Sequence, residues 1–252
     1  MSLRSFDLIA FDGDDTLWHN ERSYRDGRER FRGLLAASGV DLSEAEVETC
    51  VNRTELANLE YFGYGVSSFA LSLIETAIEV TGGRIAARDL GDLIALARDM
   101  VSEGVEVFAG ARDTLAALAG RQPLMLVTKG DLLHQTSKLE RSGLRPYFSF
   151  VEVVSHKTPA VYTAILDRHG IDPRRFLMVG NSLRSDVLPV VEVGGWAVHV
   201  PAALSWSHED ADPPHHAGHR YCELPTIADL PRLVDSIEQW AGATAGDSSP
   251  RR

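Results

Sequence analysis

Five short apolar, partly β-branched runs punctuate this chain: Phe6 to Phe11, Leu124 to Val127, Phe150 to Val154, Phe176 to Val179 and Trp196 to Val200. Their spacing constrains the fold more than any other feature. Between the last four runs lie three amphipathic stretches, Leu132 to Ser142, Pro159 to His169 and Ser185 to Val193, each long enough for one crossover helix. This succession predicts an α/β fold, successive βαβ units on a parallel sheet whose carboxyl edge binds ligand. The first interval breaks the rhythm. Residues 17 to 122 separate the first run from the second, whereas a βαβ unit needs only about 30 residues. Ala111 to Gly120 supplies a crossover helix, with Gly120 as its C-cap. The surplus reads as an inserted all-helical cap domain with helices at Arg25 to Ala37, Ser43 to Tyr61, Ser67 to Thr81 and Ala87 to Ser102. The expected organisation is a core of residues 1–18 and 107–245, a cap of 19–106 and a disordered tail of 246–252. Hinges are expected near His19 to Tyr24 and Gly104 to Phe108, and a last helix from near Pro231 to near Trp240.

Composition narrows the partners. With 44% hydrophobic and 24% charged residues the chain is not a disordered, collagenous or coiled-coil sequence. A formal charge of -11 disfavours non-specific attraction to nucleic acid or to an anionic membrane. An anionic substrate would need local positive charge. No apolar run approaches the roughly 20 residues of a membrane-spanning helix. Cys50 and Cys222 are far apart and lack the spacing of a disulfide framework, zinc site or redox pair, which suits a cytoplasmic protein.

The chemistry-bearing residues fall at successive strand ends. The first run leads into Asp12-Gly13-Asp14-Asp15-Thr16, where Asp12 can attack phosphorus and Asp14 can protonate the leaving oxygen and later activate water. The second leads into Thr128-Lys129-Gly130-Asp131, a hydroxyl and a strand-to-helix turn suited to phosphoryl oxygens. Lys157 follows the third run, placed to neutralise an acidic nucleophile and a phosphate. Gly180-Asn181-Ser182-Leu183-Arg184-Ser185-Asp186 follows the fourth, offering an amide oxygen and a carboxylate to Mg²⁺. Each is an ordinary helix cap or surface residue when taken alone. Together they form a coherent phosphate and magnesium inventory.

These four segments, in this order, resemble over nearly the whole chain the motifs of the haloacid dehalogenase superfamily, which implies a doubly wound Rossmann-like parallel sheet as the core. The phrase around Thr128, with Gln135, Lys138, Leu139 and Ser142-Gly143-Leu144, is similar to members of that family. The resemblance implies Asp12 as nucleophile, Asp14 as general acid/base, and Thr128 and Lys157 as phosphate holders beside Gly13, Lys129 and Gly130. It also implies Mg²⁺ held by Asp12, the Asp14 backbone carbonyl and Asp186, with Asn181 where the fourth motif often has aspartate. The cap would be of the C1 type. Asp14 favours a phosphatase over the superfamily's metal-free removal of halide, for which relatives lack this second aspartate. The expected activity is Mg²⁺-dependent hydrolysis of a small phosphorylated metabolite through an aspartyl phosphate. Phosphotransferase or phosphomutase chemistry would use the same residues, and a 2-haloacid dehalogenase remains an alternative. From other classes, the acidic edge also resembles response-regulator receivers, and Asn181 would mark a decayed metal site in a catalytically silent phosphate-binding protein.

Several residues keep two readings. Trp18 and His19 either touch substrate or pack the linker to the cap. Tyr61, Phe62 and Tyr64, around Gly63 and Gly65, read more as helix-end core than as a specificity loop. Pro201 to His219, with His208, His215, His216 and His219, reads as a solvated polar loop rather than a transition-metal site. Glu44, Glu46 and Glu48 are expected to face solvent.

Overall fold

The computed structural model describes residues 5–214 and 220–246. Strands β1 (Leu8–Phe11), β2 (Leu124–Lys129), β3 (Phe150–Val154), β4 (Phe176–Gly180), β5 (Trp196–His199) and β6 (Tyr221–Glu223) form one sheet in the order β3-β2-β1-β4-β5-β6. Every pairing is parallel. Both faces are covered, so the central strands are continuously apolar and their alternate side chains enter different cores. Ile9 and Phe11 pack with Leu126 and Val179 against α5 (Ala111–Ala119), α6 (Leu132–Ser142) and α9 (Leu230–Gly246). Leu8 and Ala10 pack with Val127 and Met178 against α7 (Pro159–His169) and α8 (Leu188–Glu192).

Between β1 and α5 the chain forms four helices with a core of their own: α1 (Glu21–Ala37), α2 (Glu44–Phe62), α3 (Val66–Val80) and α4 (Ala87–Ser102). Phe31, Leu35, Val51, Phe69, Leu73, Leu93 and Leu96 fill that core. A reciprocal capping box between Ser43 and Glu46 starts α2, and Gly63, at φ +67°, ends it. Glu44, Glu46 and Glu48 face solvent. The two linkers to the insert run side by side: Trp18 pairs antiparallel with Val107, and the His19 amide donates to the Glu106 carbonyl at 2.9 Å.

Three elements depart from the sequence expectation. Ser185 to Val193 is not one helix but a π-helical turn, Leu183–Val187, followed by the short α8. Pro189 has no amide hydrogen for the Ser185 carbonyl four residues back, and that carbonyl instead accepts the Tyr162 hydroxyl at 3.1 Å. The short strand β6 was missed. Helix α9 continues past Trp240 to Gly246, so residue 246 is helical, and the remainder of the expected tail, 247–252, lies outside the described residues. Among the described residues no helix is long and apolar enough to cross a membrane, and Cys50 and Cys222 are both free.

Candidate active site

The parallel register brings the ends of β1 to β4 to one edge. Lys157, just beyond β3, has a side chain only 1% exposed, and its ammonium donates to Asp12 Oδ1 at 2.6 Å and Asp186 Oδ1 at 2.7 Å. Asp12 Oδ2 accepts from Thr16 Oγ1 at 3.0 Å, and Asp186 Oδ2 accepts from the Ser182 amide at 3.1 Å. Gly180 is required here, because a Cβ would fall on the Asp186 carboxylate. Burial is the largest influence on Asp12; with the Asp186 and Asp14 carboxylates it pushes the carboxyl up to about 7 against the pull of Lys157. Two buried carboxylates thus share one ammonium, leaving surplus negative charge.

Asp14 is held by three donors from two elements. Trp18 Nε1 donates to Oδ1 at 2.7 Å, Gln135 Nε2 to Oδ2 at 2.8 Å, and the Lys138 ammonium to Oδ1. Burial alone would raise Asp14, but Lys138 and these hydrogen bonds outweigh it and hold the carboxyl below its ordinary range. Trp18 is fully buried against Gly13, whose missing Cβ leaves room for the indole ring. Trp18 therefore props the motif, while His19 lies tilted against Phe108, with ring centroids 3.8 Å apart. Gln135 and Lys138, three residues apart on one face of α6, carry roles that their spacing alone does not disclose.

Thr128, at the end of β2, has a fully buried hydroxyl without a hydrogen-bond partner. The next residue, Lys129, also lines this edge: its ammonium lies 4.1 Å from the Tyr64 ring centre and bonds Ser185 Oγ at 2.9 Å and Glu209. Gly130, at φ +127°, turns the chain so that the Asp131 side chain can cap α6. Gly65, also at φ +127°, sits against this turn, and a Cβ there would lie 3.3 Å from the Asp131 amide nitrogen. A cavity lies between strand edge and insert; Asp12, Asp14, Thr128, Lys157, Asn181 and Asp186 line its floor.

Two expectations need correction. Tyr61 and Phe62 are not core; they are 74% and 56% exposed, because α2 ends with that face beyond the helical core, and only Tyr64 lines the cavity. Nor is the segment after Pro201 simply solvated. Trp206 Nε1 donates to Asn52 Oδ1 on α2 at 3.0 Å, and Glu209, 14% exposed, accepts from Ser182 and Ser185 hydroxyls at 2.6 Å and from Lys129. His215, His216 and His219 lie outside the described residues. Burial would raise Glu209, but Lys129 and these hydrogen bonds lower it to about 2. A depressed carboxyl stabilises the fold above its unfolded value and loses that contribution as pH falls through the folded one. Glu209→Gln should therefore cost about 3 kcal/mol at pH 7, with the deficit shrinking between about pH 4.5 and 2 in urea titrations. A pH-independent deficit would contradict this.

The candidate metal donors are all oxygen: the Asp12 and Asp186 carboxylates, the Asp14 carbonyl and the Asn181 amide oxygen. The Asn181 amide is best satisfied with its nitrogen donating to the Asp14 carbonyl at 3.2 Å and Asp12 Oδ2 at 3.3 Å, so it would have to turn over to offer oxygen. Among the described residues no three His, Cys, Asp or Glu side chains converge as a metal cluster. Two carboxylates with a carbonyl suit Mg²⁺, which keeps several waters, better than Zn²⁺.

The human (Homo sapiens) N-acylneuraminate-9-phosphatase is 23% identical over 246 residues, spanning 94% of this chain and 97% of that protein. A solved haloacid dehalogenase-like family hydrolase from Xanthomonas campestris superposes with a TM-score of 0.82 at 40% identity, covering 95% of each chain. The fold is also that of the HAD-hydrolase YfnB from Bacillus subtilis, solved bound to magnesium, with a TM-score of 0.65 at 17% identity over 91% of this chain and 99% of that one. A family model described as haloacid dehalogenase-like hydrolase matches residues 6–194, and the chain belongs to that family of hydrolases.

Proposed function

We propose that this hydrolase is a Mg²⁺-dependent phosphatase that cleaves a small phosphate monoester through a phosphoryl group carried on Asp12. The observation that carries the reading is the Thr128 hydroxyl, fully buried and unpartnered on the cavity floor that Asp12 and Lys157 also line. An unmet buried donor is costly, and a phosphoryl oxygen would satisfy it. The phosphatase name of the full-length human relative supports the same reaction class.

In the first step an Asp12 carboxylate oxygen attacks phosphorus, the bond to the ester oxygen breaks, and Asp14 gives that oxygen a proton. In the second, Asp14 takes a proton from water, whose oxygen attacks phosphorus; the bond to Asp12 breaks and inorganic phosphate leaves. Lys157 fixes Asp12 and offsets charge on the transferring group. The donors around Asp14 favour its ionised form, which suits the second step. In the first, Asp14 must be protonated before attack, which requires that substrate binding displace the Lys138 ammonium. Asp12, Asp186, the Asp14 carbonyl and Asn181 would hold Mg²⁺, and the surplus charge around Asp12 fits that cation. Bound there, the ion supplies charge neutralisation.

On this reading residues 1–18 and 107–245 are the catalytic core and 19–106 a cap that excludes water while it is closed. The Gly65 contact with the Asp131 turn and the Trp206 bond to Asn52 support a closed arrangement. A screen of phosphorylated metabolites tests the function. EDTA should abolish phosphate release and Mg²⁺ restore it, and Asp186→Ala should raise the Mg²⁺ needed for half-maximal rate. Undiminished hydrolysis by the metal-free enzyme would defeat the metal assignment; halide release from a 2-haloacid with no phosphate release would favour a dehalogenase.

A further inference from the structure

The cavity that begins at Asp12 ends against the insert, where Glu21, Tyr24, Arg28, Glu55 and Phe69 line it. The Arg28 guanidinium lies between two carboxylates: Nη1 donates to Glu21 Oε1 at 3.1 Å and Nη2 to Glu55 Oε2 at 2.9 Å. Its carbon lies 5.5 Å from the Phe69 ring centre. The Arg28, Glu21 and Glu55 side chains are 14%, 17% and 11% exposed. Arg28 Nε is buried without a hydrogen-bond partner. Thr128 on the floor and Arg28 at the roof thus line one cavity, and each carries a buried polar atom without a partner.

The charge around Nε decides what can meet it. Two carboxylates against one guanidinium leave a net negative charge, and burial raises both Glu21 and Glu55 against the pull of Arg28. A carboxylate or second phosphate could accept from Nε, but it would bring its charge against two carboxylates in a poorly solvated place. An alkyl chain would leave Nε unmet. A hydroxyl accepts from Nε, can donate to Glu21 or Glu55, and adds no charge. Tyr24 and Phe69, 5.0 Å apart between ring centres, give the carbon skeleton an apolar wall.

We propose that Arg28, Glu21 and Glu55 form the leaving-group subsite and select monoesters of neutral polyhydroxy alcohols over esters whose alcohol carries a second anionic group. The inference rests on the phosphatase reading above. Its test is kcat/KM of the Mg²⁺-loaded wild-type enzyme for glycerol 3-phosphate, 3-phosphoglycerate and propyl phosphate, with p-nitrophenyl phosphate as a generic ester. Glycerol 3-phosphate should exceed both phosphoglycerate and propyl phosphate by at least about tenfold. Glu55→Gln keeps an acceptor for Arg28 but removes a charge, and should narrow the ratio of glycerol phosphate to phosphoglycerate several-fold. Arg28→Met should raise KM for glycerol 3-phosphate about tenfold; the wild-type ratios stand whether or not it folds. Equal or better turnover of phosphoglycerate by the wild type, or an unchanged ratio in Glu55→Gln, overturns the subsite. If p-nitrophenyl phosphate is hydrolysed while those ratios fail, the subsite alone falls; if no ester is turned over, both readings fall.

Discussion

Asp12→Asn should abolish phosphate release, with a loss in kcat on the order of 10⁴- to 10⁶-fold, the scale on which removing a nucleophile acts. The substitution keeps the side chain's shape and an acceptor for the Lys157 ammonium 2.6 Å away, so the fold should survive. Asp14→Asn should fail differently. An acid/base contributes roughly 10²- to 10⁴-fold, and its loss should show least on attack at esters with good leaving groups, which need little protonation. Hydrolysis of the Asp12-linked phosphoryl group should then limit turnover. Rapid-mixing kinetics on p-nitrophenyl and alkyl phosphates isolate the first step and separate the variants; equal losses of first-step rate on both esters for Asp14→Asn would contradict the division of roles.

Lys157→Met should damage both stability and rate. The ammonium is buried between Asp12 and Asp186, each within 2.7 Å. Removing it leaves two carboxylates facing one another without compensation, and breaking a buried pair in this way costs about 3–5 kcal/mol. For a chain of this size that is a fall in melting temperature of roughly 10 °C. Asp12, already pushed up to about 7, would be raised further, so its folded form would take up a proton more readily than the unfolded chain. The variant should therefore regain stability relative to wild type as pH falls. Thermal melts between pH 5 and 8 check this, and a deficit that deepens on acidification would contradict it.

How much of this was legible in the sequence depends on what each residue answers to. Helices α6 and α7 have the expected limits because local patterning and capping decide them: Asp131 and Thr158 cap their helices with their own side chains, and Gly143 and Gly170 end them at positive φ. The strand-end residues were legible because a parallel sheet gathers successive strand ends at one edge. Glu209 was not, since its partners Lys129, Ser182 and Ser185 lie on two other connections and only the fold brings them together. Arg28, Glu21 and Glu55 looked like ordinary polar positions of amphipathic helices, and their shared burial depends on α1 meeting α2. The strand β6 has only three residues, Tyr221–Glu223, too short for a period-two signal. Asp15 was read only as part of the motif, yet it adopts φ +57° and its carboxylate accepts from the Asn20 and Glu21 amides at 2.9 and 3.0 Å, tying motif to insert.

The central claim is that Asp12 carries the phosphoryl group. It is tested most directly by mixing Asp14→Asn enzyme with Mg²⁺ and a turned-over phosphate ester, quenching rapidly in acid and sequencing the peptides by mass spectrometry. A phosphoryl group on Asp12, absent from the Asp12→Asn control, is the predicted result; a label on a serine or histidine, or full turnover by Asp12→Asn, would contradict it.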